Sequence, residues 1–195
     1  KIGEKIRISG GGRCNFTNIN SNPSKFLSQN PKFVRSALSQ YTQNDFINLI
    51  NKHEIKFHEK KLGQLFCDHS AQQIVEMLLK ECELANVTIL KEFIVKDVSK
   101  DNNQYLVSTE TEQYSSESLI VATGGLSVPK IGATSFGYEI AKKFDHNIIE
   151  TFPALVPLTF SEKILEMCKE LTGLSVETIV SFNKVLFQEG MLFTH

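Results

Sequence analysis

The sequence lacks several features that would by themselves define a function. It contains no tryptophan, and its four cysteines include no CxxC pair, which argues against a zinc site of the usual spacing. No apolar run approaches the length of a membrane span, so we expect no membrane partner. The formal net charge of −1 provides no positive field to attract polyphosphate, so we also expect no nucleic-acid partner. Reduced thiols are typical of a cytoplasmic protein.

Both standard phosphate-binding motifs are also missing, because the sequence contains neither GxGxxG nor GxxxxGK followed by Ser or Thr. Residues 8–18, ISGGGRCNFTN, contain a run of three glycines instead. Glycine loses much conformational entropy on folding, so such a run indicates a backbone that something approaches closely. Two interpretations remain open: a flexible turn, or a loop whose bare N–H groups and Arg13 bind an anion such as a phosphate.

Hydrophobic periodicity predicts an α/β chain. Apolar residues at helical spacing predict helices over residues 31–41, 45–53, 70–85, 136–144 and 163–170. Short apolar runs between turn residues predict strands over residues 6–9, 55–57, 65–67, 87–90, 93–98, 105–109 and 118–123. The sequence after residue 150 is β-rich, so we place a domain boundary there, with domains at 1–150 and 151–195.

The segment SLIVATGG, residues 118–125, contains a second glycine site. Its nearly continuous apolar run predicts a strand buried on both faces, and ligands in open α/β sheets bind at the carboxyl ends of such strands. Two glycine loops, each after an apolar strand, would form the two walls of a cleft for a nucleotide-like ligand. A pair of purely structural turns remains the alternative.

Five blocks of the sequence together resemble one protein family. They are ISGGGRCNFTN, LGQLFCDHSAQQIVEMLL, LIVATGGLSVPKIGATSFGYEIAKKFDH, PALVPLTF and the terminal MLFTH. In this order they resemble the BaiN/YhiN-type, or HI0933-like, family of bacterial FAD-dependent oxidoreductases, and the resemblance covers essentially the whole chain. It implies a Rossmann-like FAD/NAD(P)-binding flavoprotein domain followed by the beginning of an inserted β-rich domain.

The same resemblance implies that two parts of a family member are absent. Members begin with a strand, a GxGxxG turn and a helix that hold the FAD pyrophosphate, and this chain starts just after the position of that unit. Members also continue beyond the MLFTH block through the rest of the inserted domain. We therefore expect a fragment, with an incomplete FAD-binding domain over residues 1–150 and the start of the inserted domain over residues 151–195.

The resemblance further implies which residues contact FAD. The first glycine loop would lie beside the flavin and its phosphates, with Arg13 supplying charge. Val95 matches a position whose backbone meets the adenine, and the ATGG block matches a second flavin-contacting strand end. The full implied set is Ser9, Gly10, Gly11, Gly12, Arg13, Cys14, Asn15, Val95, Ala122, Thr123, Gly124, Gly125, Gly132, Thr134 and Gly137.

Cys14 lies in this loop, but its neighbours argue against redox chemistry. Related disulfide reductases carry a second cysteine five residues further on, where this chain has Ile19. We therefore interpret Cys14 as a packing residue near the flavin ring rather than a nucleophile. No catalytic acid or base is identified, because the sequence indicates no partner for His58, His69 or His146.

Two functions are consistent with these residues. The first is an FAD-dependent oxidoreductase that transfers a hydride or electrons through bound flavin to a small-molecule substrate, with NAD(P)H as the candidate electron donor. The second is a catalytically inert fragment, a structural or binding module that does not retain FAD. Bound flavin makes a protein yellow, so the colour of the purified chain distinguishes the two.

Overall fold

The computed structural model describes residues 2–128, 131–153 and 157–194. The chain forms two compact units, Lys1–Asn147 and Ile148–His195. The helices are α1 (Glu4–Ile8), α2 (Arg35–Gln40), α3 (Gln43–Lys52), α4 (Gln72–Leu84), α5 (Phe136–Lys143) and α6 (Glu162–Glu170). The strands are β1 (Asn15–Asn18), β2 (Phe57–Glu59), β3 (Gln64–Cys67), β4 (Asp97–Asp101), β5 (Gln104–Ser108), β6 (Gln113–Ser116), β7 (Ser175–Phe182) and β8 (Val185–Leu192).

The core of the first unit lies between a small sheet and helices α3 and α4. The sheet has the order β1-β3-β2, and both pairs are antiparallel. Helix α3 begins with a capping box, in which Thr42 and Asp45 each bond the other's backbone N–H, and this fixes where the helix starts. The two helices bury apolar residues against the sheet, and the resulting cluster is Cys14, Ile50, Ile55, Cys67, Ala71, Ile74 and Met77.

A second sheet of the first unit, β4-β5-β6, is an antiparallel meander. Helix α5 packs beside it, because the Phe144 and Tyr105 rings lie 5.8 Å apart between centroids. Lys143 donates a hydrogen bond to Asp97 at 2.5 Å, and this bond lowers the pKa of the Asp97 carboxyl. These contacts hold the C-terminal end of α5 against the second sheet.

The second unit consists of α6 and the hairpin β7-β8, whose strands pair antiparallel from Ser175 with Leu192 to Phe182 with Val185. Most of the hairpin side chains are exposed, and Cys168 on α6 is the buried one among the described residues of this unit. A two-stranded hairpin is marginal on its own in water, so this unit has little core of its own. No helix in the described part of the chain is long and apolar enough to span a membrane.

The predicted helices at 45–53, 70–85, 136–144 and 163–170 are confirmed, with ends shifted by up to two residues. Three predicted strands are wrong. Residues 6–9 fall in α1 and in the 3-10 turn Ser9–Gly12, while residues 87–90 and 118–123 form no strand. A strand requires a neighbour to complete its ladder, and none of the described strands pairs with either segment.

The segment at 118–123 was also expected to be buried, and this expectation is wrong. Ile120 is 88% exposed and Val121 43% exposed. No described strand pairs with the segment, so it lacks the cover that a buried strand would have. The strand predicted at 93–98 is displaced along the chain, since β4 runs from Asp97 to Asp101 and residues 93–96 lie outside it.

Candidate functional site

The first glycine loop, which we define as residues 9–13, is a tight 3-10 turn at the end of α1. Gly10, Gly11 and Gly12 have φ values of 57°, 67° and 83°. These values lie in the left-handed region, which non-glycine residues adopt at a cost of about 1–2 kcal/mol. The backbone conformation itself therefore explains the run of three glycines, and Cys14 extends it with φ 51°.

Contacts with β3 and α4 fix the inner side of this loop. The Cys67 N–H donates to the Arg13 carbonyl at 2.9 Å, and the Ala71 N–H donates to the Gly12 carbonyl at 2.7 Å. A Cβ added at Gly10 would lie 2.6 Å from Cε1 of Phe66 and 2.8 Å from the backbone N of Asn15. Gly10 is thus required by packing as well as by φ.

The outer side of the loop is open. A Cβ added at Gly11 would meet no atom within 4 Å. Arg13 is exposed and forms no ion pair with a described residue. The Ser9 hydroxyl, by contrast, donates to the Ile6 carbonyl at 2.8 Å and braces the turn. An open glycine backbone beside an unpaired guanidinium is an arrangement that fits a phosphate, so the anion-binding interpretation remains compatible with the structure.

The second glycine loop, which we define as residues 122–125, lies against the start of α5. Gly124 has φ 78°, and a Cβ there would meet nothing within 4 Å. A Cβ at Gly137 on α5 would lie 2.8 Å from Oγ1 of Thr123. Gly137 therefore allows α5 to approach the loop closely. Ala122, Thr123 and Gly124 are exposed, so their backbone is accessible.

One hydrogen bond connects the neighbourhoods of the two loops. Lys5 on α1 donates from Nζ to Oγ of Ser127 at 2.5 Å, across a sequence separation of 122 residues. The segment that follows the second loop therefore contacts the helix that leads into the first.

Four further residues were predicted to contact the cofactor, and they are Val95, Gly132, Thr134 and Asn15. Val95 precedes β4 and has no hydrogen bond to either glycine loop in the described structure. Thr134 accepts a hydrogen bond from the Phe136 N–H at 3.4 Å and so helps to begin α5. Gly132 has φ 92° and open space around it. Asn15 starts β1 and is exposed.

A cavity of about 450 Å³ is lined by residues of α5, of the second sheet and of the segment before the second loop. Its walls include Val121, Gly137, Ile140 and Phe144, with polar groups from Lys100 and His146. Because Val121 and Gly137 also hold the second loop against α5, the cavity and the loop share a wall. His146, which the sequence left without a role, lines this cavity.

The two thiols near the first loop are buried. Cys14 is 5% exposed and Cys67 is fully buried. Burial, together with the nearby Cys14 and Asp68, raises the pKa of the Cys67 thiol to about 11. A thiol with a raised pKa is a poor nucleophile at neutral pH. This environment agrees with the interpretation of Cys14 as a packing residue.

Sequence reasoning missed an oriented histidine next to the first loop. His58 on β2 faces Asp68, with Nδ1 and Oδ1 2.7 Å apart, a partner that the sequence did not indicate. The His58 ring also stacks on Phe66 at 6.4 Å between centroids, and Phe66 is the ring that contacts Gly10. Residues 58 and 66 are register partners on β2 and β3, and Asp68 lies diagonally on the same face. Strand alternation could have indicated that His58 and Asp68 share a face, but only if the pairing register of β2 and β3 had been known.

Comparison with known protein families identifies the family and the fold of this chain. The family model described as HI0933-like protein Rossmann domain matches residues 1–189. The chain belongs to this HI0933-like family. The family expected from the sequence is therefore confirmed, and so is the α/β, Rossmann-like fold class, since the structure contains both helices and strands.

Two proteins similar to this chain are named ribosomal RNA dihydrouridine synthase. The one from Escherichia coli is 50% identical over 100% of this chain and 49% of its own length. The one from Haemophilus influenzae is 46% identical over 100% of this chain and 50% of its own length. A 3-dehydro-bile acid delta(4,6)-reductase from Clostridium scindens is 25% identical over 80% of this chain and 38% of its own length. The chain spans about half the length of the curated relatives it matches.

These names bear on two expectations from the sequence. All three HI0933-like relatives are named as enzymes, and one is named a reductase, which supports an enzymatic role. Two names contain ribosomal RNA, whereas the net charge of −1 led us to expect no nucleic-acid partner. Net charge describes the whole chain and does not detect a local basic surface.

Proposed function

We propose that this chain is the cofactor-binding part of a flavin-dependent reductase that converts a uridine of ribosomal RNA to dihydrouridine. The observation that supports it most is the 50% identity, over the whole chain, to a ribosomal RNA dihydrouridine synthase. The two accessible glycine loops also support this proposal. Each has an open position at positive φ, Gly11 and Gly124, where a ligand can approach the backbone.

The residues present fit FAD as the cofactor. The first glycine loop and Arg13 would hold a phosphate, and the second loop would lie along the nucleotide with its exposed backbone. When bound and reduced by a donor such as NADH or NADPH, FAD would supply the hydride for reduction of a carbon–carbon double bond. In uridine the hydride adds to C6 and a proton adds to C5, so the saturated product needs a proton donor from the protein or from water.

His58 is the candidate for that proton donor. Asp68 accepts from Nδ1 at 2.7 Å, and a carboxylate in that position fixes the tautomer and orients the ring. The imidazole is separated from Gly10 only by the Phe66 ring, on which it stacks. The His58 side chain is 45% exposed, so it remains open to a substrate. This role rests on the proposal that the first glycine loop faces the cofactor.

The reaction itself is tested with ribosomal RNA that lacks dihydrouridine. The full chain is incubated with FAD, NADH or NADPH and this RNA, and digested nucleosides are measured by mass spectrometry. The proposal predicts dihydrouridine that depends on added FAD. A yellow protein that reduces a small unsaturated ketone but not RNA would support a small-molecule substrate instead. A colourless protein that takes up no FAD would support the inert binding module.

The cofactor site is tested by two glycine substitutions and a matched control. Gly11→Val and Gly124→Val place a side chain in the two open positions, so each should lower the amount of bound FAD by blocking backbone approach. Gly173→Val is the control, because Gly173 also has positive φ and open space but lies in the second unit. FAD content, measured by absorbance per protein, should fall in the first two variants only. Equal FAD content in all three would remove the loops from the site.

A further inference from the structure

The basic residues of this chain are segregated along the sequence, although the total charge is close to zero. Residues 5–44 contain six lysines and arginines and not one aspartate or glutamate. The acidic residues are concentrated elsewhere, and the first one after this stretch, Asp45, is engaged in the capping box of α3. The basic residues of the stretch are Lys5, Arg7, Arg13, Lys25, Lys32 and Arg35.

Most of this stretch forms an excursion from the fold, which we call the arm and define as residues 20–42. It leaves the sheet after β1 and returns at α3. The two ends meet at a neck, where the Gln43 amide donates to the Ile19 carbonyl at 3.1 Å and the Asn20 amide donates to the Leu62 carbonyl at 3.3 Å. Within the described structure no residue of the arm is buried.

Large apolar side chains on the arm face the solvent. Phe26 is 42% exposed, Leu27 is 95% exposed and Phe33 is 78% exposed. Exposed aromatic rings are unfavourable in water unless a partner covers them, and clusters of them mark interaction sites. Aromatic rings between basic residues are the arrangement used to stack unpaired bases while cations hold the phosphates.

The cations of the arm are free to bind such phosphates. Lys25, Lys32 and Arg35 are exposed and form no ion pair with a described residue. Some lysines elsewhere in the first unit are ion-paired, such as Lys52 with Glu81 at 2.8 Å and Lys96 with Glu110 at 2.9 Å. The cations of the arm are thus not paired with a carboxylate of a described residue, whereas Lys52 and Lys96 are.

We propose that the arm binds a single-stranded segment of RNA next to the nucleotide that is reduced. This inference rests on the proposed function, because RNA is the substrate assumed there. The arm begins where β1 ends, and the four residues of β1 span about 13 Å from the first glycine loop. RNA held on the arm is thus within a few nucleotides of the proposed cofactor site. Phe26 and Phe33 stack on bases, and Lys25, Lys32 and Arg35 contact phosphates.

The test measures binding of a labelled single-stranded oligouridine to the full chain by fluorescence anisotropy over a range of salt concentrations. Lys25→Ala/Lys32→Ala/Arg35→Ala should lower affinity by about tenfold and reduce the slope of log affinity against log salt by about two, since each lost phosphate contact contributes about 0.7. Phe26→Ala/Phe33→Ala should lower affinity by about tenfold or more with an unchanged slope. These side chains are exposed, so circular dichroism should be unchanged.

Two controls make the result specific. Lys91→Ala/Lys163→Ala/Lys184→Ala removes the same charge from exposed positions outside the arm and should change affinity little. Lys25→Arg/Lys32→Arg keeps the charge and should retain binding.

The outcomes separate the arm from the proposed function. If the unmodified chain binds oligouridine and forms dihydrouridine but both arm variants bind as tightly, the arm proposal is overturned and the function stands. An arm that docks on an acidic protein instead would give this same result. If the unmodified chain binds no RNA, the RNA substrate is wrong and the arm proposal fails with it. Loss of binding in both arm variants, with the controls intact, supports the proposal.

Discussion

The two glycine loops have similar sequences, an apolar run followed by glycines, but neighbouring elements pack against them differently. The first is held from within, because Cys67 and Ala71 donate to its carbonyls and Phe66 packs on Gly10. The second contacts α5 through Gly137 and is otherwise open, with the apolar segment before it exposed. Glycines after an apolar run thus indicate a backbone conformation that other residues disfavour. How tightly that backbone is held depends on the elements that pack against it.

The largest expected effect is on the stability contributed by the first loop. Gly10→Ala should destabilise the protein by about 3 kcal/mol, because the new Cβ meets Phe66 and the backbone N of Asn15 and φ is positive. Gly124→Ala is the matched change in the second loop and should cost about 1 kcal/mol, since it carries only the φ penalty. Urea unfolding measures both. Equal losses would mean that the first loop is not held more tightly than the second.

A smaller effect is expected at alkaline pH, where the support of the first loop weakens. The Cys67 thiol has its pKa raised from 9.0 to about 11 in the folded protein, so its stabilising contribution is complete below pH 9 and is lost as pH rises towards 11. The loss should reach about 2 kcal/mol at pH 11. Cys67→Ala should be less stable at neutral pH but should show a flatter decline between pH 9 and 11. Parallel declines in the two proteins would contradict the assignment to Cys67.

The contact between the second loop and α5 should have a small net effect. Gly137→Ala gains about 1 kcal/mol of helix propensity but brings Cβ to 2.8 Å from Oγ1 of Thr123, so the net change should be within about 0.5 kcal/mol. Thr123→Ala removes the obstructing oxygen. The double variant Gly137→Ala/Thr123→Ala should therefore be more stable than the sum of the single changes. A double-mutant cycle by thermal unfolding measures this coupling, and additive effects would place the two residues apart.

The smallest effect is expected for the hydrogen bond that connects the two neighbourhoods. Lys5→Met removes the donor to Ser127 at an exposed site, so the free energy of unfolding should fall by about 0.5 kcal/mol or less. Local opening is the more sensitive measurement. Amide hydrogen exchange should become faster in residues 122–127, while exchange at Cys67 and Ala71 stays unchanged. Faster exchange at both places would mean that the two loops behave as one unit.

The confirmed helices were predictable because their information is local. Helix α4 has apolar residues at helical spacing, and α3 has in addition the Thr42 and Asp45 capping box. The HI0933-like family was also predictable, because ISGGGRCNFTN and the ATGG block are distinctive in combination. The prediction of a strand at residues 118–123 was wrong because it depends on information that is not local. Its apolar run satisfies the pattern of a buried strand, but a strand also needs a partner, and sequence pattern alone cannot supply one.

The features of the candidate site also divide into those that the sequence indicated and those that only the structure shows. Glycines at positive φ were foreseeable at residues 10–12 and 124, because few other residues tolerate that backbone. The partner of His58 was not, since Asp68 reaches it through the register of β2 and β3. The basic arm was visible in the sequence as a stretch without acids, but net charge concealed it. Only the structure shows that its aromatic side chains are uncovered.

The sequence by itself determined the family, the helices with strong periodicity and the positions where the backbone must be glycine, because each depends on residues close together in the chain. The tertiary structure decided which glycine loop is braced, which histidine has a carboxylate and which apolar residues stay exposed. Those properties depend on atoms that are distant in sequence. Ser127 is brought to Lys5, and Phe66 to Gly10, only when strands and helices pack.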